Sequence, residues 1–333
     1  RGPTLAVVLG AALALEALVL ALLARRAGVG PRAYLAARSR RAALVLATAA
    51  VVAAALLVAP APPAALSEPR LTFLDVGEGA ATLVQVPEGP TVLIDAGPEP
   101  LAEELRLHGV GRIDLLVLSH GHADHTGGLE GVIGALPIDA ALMPCPEEPD
   151  ATLERLRAEL SAAGAEVGVC TSAMGLSGDG WSLRVLPTAP SGTTDANQAE
   201  NDVALVVLVE LGGVDVLVTG DAEGAVLAAL DLPPVDILEL PHHGSRGGLD
   251  AELLERLRPR LAVVSVGPNR FGHPTPEMEA LLAAHGVPLL RTDHAGDIVV
   301  CGPGEMGDDA ALETGATEAV LVPELRVWTE EGG

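Results

Sequence analysis

The sequence predicts an α/β domain that follows two transmembrane helices. Short aliphatic segments typical of strands recur from Leu71 onward, and helix-like stretches such as 151–163 and 276–285 lie between them. This mixture indicates sheets that are covered by helices within one domain. Nearer the start of the chain, residues 4–24 and 42–59 form two apolar segments, each long enough to cross about 30 Å of hydrocarbon.

The two apolar segments predict membrane spans rather than a signal peptide, because a loop with six arginines and then a second span follow the first. By the positive-inside rule this loop is cytoplasmic, so the domain after the second span is extracytoplasmic. Since the chain opens with Arg1 rather than Met, we expect it to be the C-terminal part of a longer multi-pass protein of the cell membrane.

The sequence therefore divides into four parts. These are two transmembrane helices with a basic cytoplasmic loop at 1–59, a proline-rich linker at 60–70, the α/β domain at 71–301 and an acidic C-terminal tail at 302–333.

Residues from 60 onward hold 13 of the 20 basic side chains and 44 of the 45 acidic ones, a formal charge of −31. This charge repels phosphate backbones at long range, so contact with nucleic acid must depend on metal ions or a local patch. The three cysteines show no CxxC spacing and give no support to a cysteine metal site.

The segment Ser119–Gly128 (SHGHADHTGG) places three histidines and an aspartate directly after an aliphatic strand. His120 and His122 lie two residues apart in extended chain and point to one side of the strand end. Asp124 and His125 follow in the turn, within reach of a second metal ion. Imidazole and carboxylate groups are ligands for zinc, manganese or iron, whereas packing alone gives no reason to crowd four polar groups beside a buried strand. The segment predicts a metal centre.

Two later strand ends carry further candidate ligands. Asp221 follows VDVLVTG, where a carboxylate after glycine is well placed to bridge two cations, although a Gly-Asp pair alone is a weak signal. His242 and His243 follow VDILELP and precede Gly-Ser, which is a stronger signal.

The order of these motifs resembles that of the metallo-β-lactamase superfamily. The wider set is similar to the C-terminal domain of the ComEC family of competence proteins over roughly residues 71–300, and the two spans fit the end of that family's membrane domain. The segments that carry the similarity are FLDVGEGAATLVQ, TVLIDAG, SHGHADHTGGL, ENDVALVVL, LVTGD, HHGS, SVGPNRFGHP and RTDHAGDI. The resemblance implies an αβ/βα sandwich with two divalent metal ions, Zn²⁺ or Mn²⁺, at one edge between the sheets.

The resemblance also implies roles for individual residues. One metal ion would be bound by His120, His122 and Asp221, and the other by Asp124, His125, Asp221 and His243. His242 would then contact a substrate phosphate, although the two neighbouring histidines could exchange roles. Asp124 and His242 are the candidate catalytic residues. Ser245, Asn269 and His273 are candidates for substrate binding, although Asn269 and His273 could equally form a structured turn.

The chain departs from the family at several positions. The usual glutamine of DVGQG is Glu78, the acidic residue that often follows the glycine is Ala80, and Ala204 replaces a common serine. No histidine occurs between His125 and His242, so the first metal site is relatively rich in oxygen ligands or open, which admits manganese as well as zinc.

The resemblance implies a DNA-uptake channel of natural transformation. Its extracytoplasmic domain would hydrolyse phosphodiesters of the strand that is not imported, since two nearby cations can activate a shared water. The expected partners are single-stranded DNA at the channel, the membrane and the DNA-uptake machinery. The alternative is a membrane-anchored metallo-phosphoesterase that acts on a non-DNA substrate. A third hypothesis, a domain that guides DNA without turnover, is disfavoured by the intact ligand set.

Overall fold

The computed structural model describes residues 66–146, 149–189, 201–302, 318–322 and 325–329, together with Leu22, Arg25 and Arg26. The chain forms two compact units, Arg1–Pro62 and Pro63–Gly333. Apart from Leu22, the predicted spans 4–24 and 42–59 lie outside the described residues. Among the residues that are described, no helix has both the length and the apolar character needed to cross a membrane.

The second unit is built from strands and short helices. In chain order the described strands are β1 Arg70–Phe73, β2 Thr82–Gln85, β3 Thr91–Ile94, β4 Ile113–Val117, β5 Ile138–Met143, β6 Glu166–Val169, β7 Met174–Gly178, β8 Trp181–Pro187, β9 Leu205–Leu211, β10 Val214–Val218, β11 Ile237–Glu239, β12 Leu261–Val264, β13 Leu289–Arg291, β14 Ile298–Cys301, β15 Glu318–Val322 and β16 Leu325–Thr329. The described helices of this unit are α1 Ala102–Leu107, α2 Ala123–Thr126, α3 Leu129–Ile133, α4 Ala151–Ala162, α5 Gly224–Ala229, α6 Ala251–Leu257, α7 Pro276–Ala284 and α8 Thr292–Ala295, with a 3₁₀ turn at Pro241–Gly244.

The strands form two sheets. The first has the spatial order β15-β16-β14-β1-β2-β3-β4-β5-β6, and the second has the order β13-β12-β11-β10-β9-β8-β7. β16 pairs antiparallel with β14. The segment 302–333, predicted as an acidic tail, therefore contributes two strands, and the first sheet continues beyond residue 301.

The sheets pack face to face around an aliphatic core. Successive residues of a strand point to opposite faces, so Val84 of β2 enters the core between the sheets while Leu83 packs under α1, α3 and α4. In the second sheet Val263 faces the same core, while Val264 packs under α5, α6 and α7. The result is the αβ/βα layering that the resemblance implied.

The strand directions bring the predicted site residues to one edge. β3 to β6 are parallel to one another, as are β10 to β13. The carboxyl ends of β4, β10 and β11 lead directly into the segments that hold the histidines and Asp221. A hydrogen bond from Leu205 N to Ser119 O (2.9 Å) connects the two sheets beside this edge.

Candidate metal centre

The turn after β4 directs His125 inward. Helix α2 begins at Ala123, directly after His122, and brings His125 back to the strand end, where it is fully buried. The Nδ1 atom of His125 donates to Asp95 Oδ2 (2.7 Å), which also accepts from Ser119 Oγ (2.5 Å). Asp95 thereby fixes the imidazole with Nε2 directed at Asp221. Its contacts thus make Asp95 a support for the histidine behind the predicted ligands.

Asp221 lies at the centre of the histidines. Its Oδ1 is 3.0 Å from His125 Nε2 and 3.7 Å from His243 Nε2, and its Oδ2 is 3.6 Å from the Nε2 atoms of both His120 and His242. Gly220 before it has a φ of +52°, and a Cβ there would lie 3.0 Å from Ser119 Cβ. This glycine therefore allows the chain to turn sharply and place the carboxylate between the sheets.

The strand end after β11 presents two imidazoles in different ways. His242 and His243 have φ values of +49° and +52°, a left-handed conformation that non-glycine residues rarely adopt. His243 Nδ1 donates to Ser265 O (2.8 Å), so its Nε2 faces Asp124 Oδ2 at 3.5 Å. His242 Nδ1 bonds to Glu223 Oε1 (2.9 Å), and 29% of its side chain is exposed. The contacts thus make His243 the inner imidazole and His242 the outer one.

Several buried polar atoms at this edge have no hydrogen-bond partner. They include His125 Nε2, His243 Nε2 and both carboxylate oxygens of Asp221. His125 Nε2 is close to Asp221 Oδ1, but the contact lacks hydrogen-bond geometry. Buried polar atoms are normally satisfied, and these carry the donor types that bind divalent cations. Their convergence fits a metal centre.

The structure brings all six predicted metal ligands together. Two groups of these predicted ligands have ligand atoms within 4.8 Å of one another. One consists of His120, His125 and Asp221, and the other of Asp124, His125 and His243. His122 lies beside the first of these groups, with its Nδ1 atom 2.9 Å from His120 Nε2. His125 belongs to both groups, whereas the resemblance assigned it to one metal. The distribution of ligands between two ions stays a prediction.

The electrostatics favour ionised carboxylates. Burial opposes the charge on Asp221, but His125 and His120 outweigh it and hold the pKa of Asp221 well below its usual range. Burial likewise opposes the charge on Asp124, yet chiefly the nearby imidazole of His243 lowers the pKa of Asp124 to about 2. Metal ions bind unprotonated imidazoles, whereas the ionised carboxylates favour protonated ones. Metal binding here must therefore release protons from the histidines.

The pKa values of His120 and His243 shift in opposite directions. Burial, then the neighbouring His125, lowers the pKa of His120 well below its ordinary value. Burial would also lower the pKa of His243, but Asp124 and Asp221 outweigh it and raise that pKa to about 9. A proton on His243 therefore competes with metal for the same nitrogen.

Two predicted substrate-binding residues make their hydrogen bonds within the protein. Ser245 is buried, and its hydroxyl donates to Glu223 Oε1 (2.9 Å), so its proton is not directed at a substrate. Asn269 Oδ1 accepts from the backbone N–H groups of Phe271, Gly272 and His273, and its Nδ2 donates to two carbonyls. Both amide protons of Asn269 are thus used within the loop, as the structured-turn alternative required.

His273 lies beside the predicted metal ligands. Its ring centroid is 5.7 Å from that of His242 and 6.5 Å from that of His243. Its Nδ1 is buried without a hydrogen-bond partner, 3.7 Å from Glu78 Oε1. Glu78, which replaces the family's usual glutamine, therefore faces His273.

Sequence reasoning missed Glu223. This residue holds both His242 and Ser245 through one carboxylate oxygen. It follows Asp221 by two residues, which was the only local signal, and a Glu before a helix is common without such a role.

Comparison with known proteins gives consistent results. Residues 74–159 match a family model described as the metallo-beta-lactamase superfamily. The ComE operon protein 3 of Bacillus subtilis is 29% identical over 71% of this chain and 33% of its own length. The Recombination protein 2 of Haemophilus influenzae is 30% identical over 62% of this chain and 26% of its own length. The Competence protein ComA of Neisseria gonorrhoeae is 30% identical over 69% of this chain and 32% of its own length.

The match to these curated relatives covers no more than 33% of their length. Among solved structures, the metallo-beta-lactamase fold protein YhfI from Bacillus subtilis aligns with a TM-score of 0.50 and 13% identity. That alignment covers 68% of this chain and 97% of YhfI. At this identity the likeness shows the fold alone. The matched metallo-beta-lactamase family, together with the groups of candidate ligands, implies divalent metal binding.

Proposed function

Because this chain carries a ComEC-like metallo-β-lactamase domain, we propose that it hydrolyses DNA phosphodiesters during DNA uptake. The coarser function, a competence-related metallohydrolase, has the support of the named relatives and the matched family. The finer proposal is that the domain lies outside the cell, next to the channel, and degrades the strand that is not imported. The predicted spans and their arginine loop support that location.

The convergence of unsatisfied buried atoms carries the proposal. His125 Nε2, His243 Nε2 and both oxygens of Asp221 meet between the sheets, with Asp124 and His120 beside them. Two divalent ions held there would lower the pKa of a shared water and hold a phosphoryl oxygen during in-line attack.

The chain's own groups orient that chemistry. Asp95 fixes the ring of His125, and the Ser265 carbonyl fixes the ring of His243, so each keeps Nε2 directed at the cluster. His242 is held by Glu223 at the outer side, where its partly exposed ring can donate to a phosphate oxygen. Asp124, whose side chain is 37% exposed, stays ionised near neutral pH and lies 3.5 Å from His243 Nε2.

The strong negative charge of the domain shapes the expected behaviour. The formal charge of −31 from residue 60 onward opposes the approach of free DNA. A channel that delivers the strand raises its effective concentration at the site without any new contact. We therefore expect weak cleavage of free DNA and stronger cleavage of delivered DNA.

The test is nucleotide release from single-stranded DNA by the full chain loaded with Mn²⁺ or Zn²⁺. The double variant His122→Ala, His243→Ala should lose cleavage while it keeps its circular dichroism spectrum, since both residues lie at strand ends. His285→Ala, which replaces a histidine of the α7 C-terminus outside the cluster, should cleave like the parent.

A chain that is folded and loaded with metal, and that cleaves small phosphodiesters but no DNA, would contradict the proposal. That result would favour the membrane-anchored phosphoesterase. The acidic surface is the observation that makes this alternative a serious one, because small substrates feel less of the long-range repulsion.

A further inference from the structure

Phe271 is an exposed aromatic residue in a chain that has few aromatic residues. Only two phenylalanines, two tryptophans and one tyrosine occur in 333 residues. The other phenylalanine, Phe73, is fully buried, whereas Phe271 is 61% exposed. A single exposed apolar side chain needs no special explanation, so its meaning depends on what surrounds it.

The loop that carries Phe271 is held in one conformation. Asn269 Oδ1 accepts from the N–H groups of Phe271 (3.0 Å) and Gly272 (2.8 Å), and its Nδ2 donates to Gly267 O and His273 O. The ring is therefore presented by a loop whose order is already established before any ligand binds. Such preorganisation reduces the conformational entropy that is lost when a ligand binds.

The ring of Phe271 leads to the metal centre through stacked imidazoles. It stacks on His273 with a centroid distance of 5.6 Å and an interplanar angle of 25°. His273 in turn stacks on His243 at 6.5 Å and 27°. Two successive ring contacts thus lead from the surface to a buried predicted metal ligand, and Phe271 is the exposed end.

A positive charge lies over the same ring. The guanidinium carbon of Arg270 is 5.1 Å from the centroid of Phe271, within the range of a cation–π contact. Both side chains are exposed. An aromatic face beside a cation is the combination with which proteins bind single-stranded nucleic acid, since bases stack on the ring and the cation attracts the backbone.

We propose that Phe271, together with the Arg270 guanidinium that lies over its ring, forms a stacking site for a nucleobase next to the phosphodiester at the metal centre. The inference rests on the proposed function and specifies it, because it makes a base-bearing single strand the preferred substrate. A small phosphodiester that reaches the cluster makes no use of this ring.

The test compares two strands of equal length and charge. One is a fluorescent single-stranded oligonucleotide, and the other is the same strand with every base removed. The full chain, loaded with Mn²⁺, should bind the base-bearing strand more tightly, by about 5- to 150-fold for one stacked base. Phe271→Ala should bring the two affinities together. Phe271→Trp keeps an aromatic face and should retain the preference.

Leu107→Ala is the matched control, because Leu107 is another exposed apolar residue, on α1, and its loss should leave the preference unchanged. Equal affinities of the parent for the two strands, or a preference that survives Phe271→Ala, would overturn the stacking site. Binding is measured separately from cleavage, so the two proposals fail separately. A parent that prefers bases through Phe271 but releases no nucleotides supports the stacking site and contradicts the nuclease.

Discussion

His108 is predicted to stabilise the domain through its charge. The residue ends α1, and its Nε2 lies 2.7 Å from Asp297 Oδ2 and 3.4 Å from Glu104 Oε1. The other oxygen of Asp297 accepts from Asp75 N (2.7 Å), so this contact ties α1 to the start of β14. The perturbation is His108→Gln, which keeps a hydrogen-bonding group and removes the charge.

The magnitude follows from the pKa. Burial opposes the charge on His108, but Asp297 and Glu104 outweigh it and raise the pKa from 6.5 to about 9. Each pKa unit corresponds to about 1.4 kcal/mol, so the charged form contributes at most about 3.5 kcal/mol to the free energy of unfolding. Because the folded-state pKa is raised, this contribution is complete below pH 6.5 and is lost as the pH rises through about 9.

Urea unfolding at pH 6, 8 and 10, in the presence of a chelator, measures the effect. His108→Gln should lower the free energy of unfolding by up to about 3.5 kcal/mol at pH 6 and by little at pH 10. The control is His294→Gln, since the side chain of His294 is 70% exposed. A loss of equal size at pH 6 and pH 10 would show that packing, and not charge, makes the contact stabilising, and would refute the reasoning.

Two further predictions concern the metals and the topology. The full chain should bind close to two divalent ions, and Asp221→Ala should lose more than one of them by elemental analysis, because the carboxylate lies between His120 and His243. Full metal content in that variant would remove Asp221 from the site. Asp215→Ala, on β10 but away from the cluster, is its control. A reporter active only in the cytoplasm, fused after Trp328, should be silent, because six arginines between the predicted spans orient the loop inward. A strong cytoplasmic signal would contradict the extracytoplasmic location.

The metal centre was predictable because its signal is local. Three histidines and an aspartate within six residues have no good explanation in packing, and two later strand ends supply groups that parallel strands bring to the same edge. The support around it was not predictable. Whether Asn269 binds a substrate or holds a loop depends on hydrogen bonds that the residue type does not specify. The role of Glu223 likewise depends on the turn after β11, far along the chain.

The extent of the first sheet escaped prediction for a related reason. β15 and β16 lie in a segment whose acidic and glycine-rich composition is typical of a tail. Their place in the sheet depends on the pairing of β16 with β14, a contact across a long stretch of sequence. Composition reports average solubility and carries little information about such pairing.

The backbone at His242 and His243 limits how this domain can be made more stable. Each residue adopts a left-handed conformation that costs a non-glycine residue about 1 to 2 kcal/mol. Glycine at either position would relieve that strain, so a redesign guided by folding stability alone would select it and would discard the imidazole. An engineer who seeks a heat-resistant form of this domain must therefore hold these two positions fixed and find the gain elsewhere.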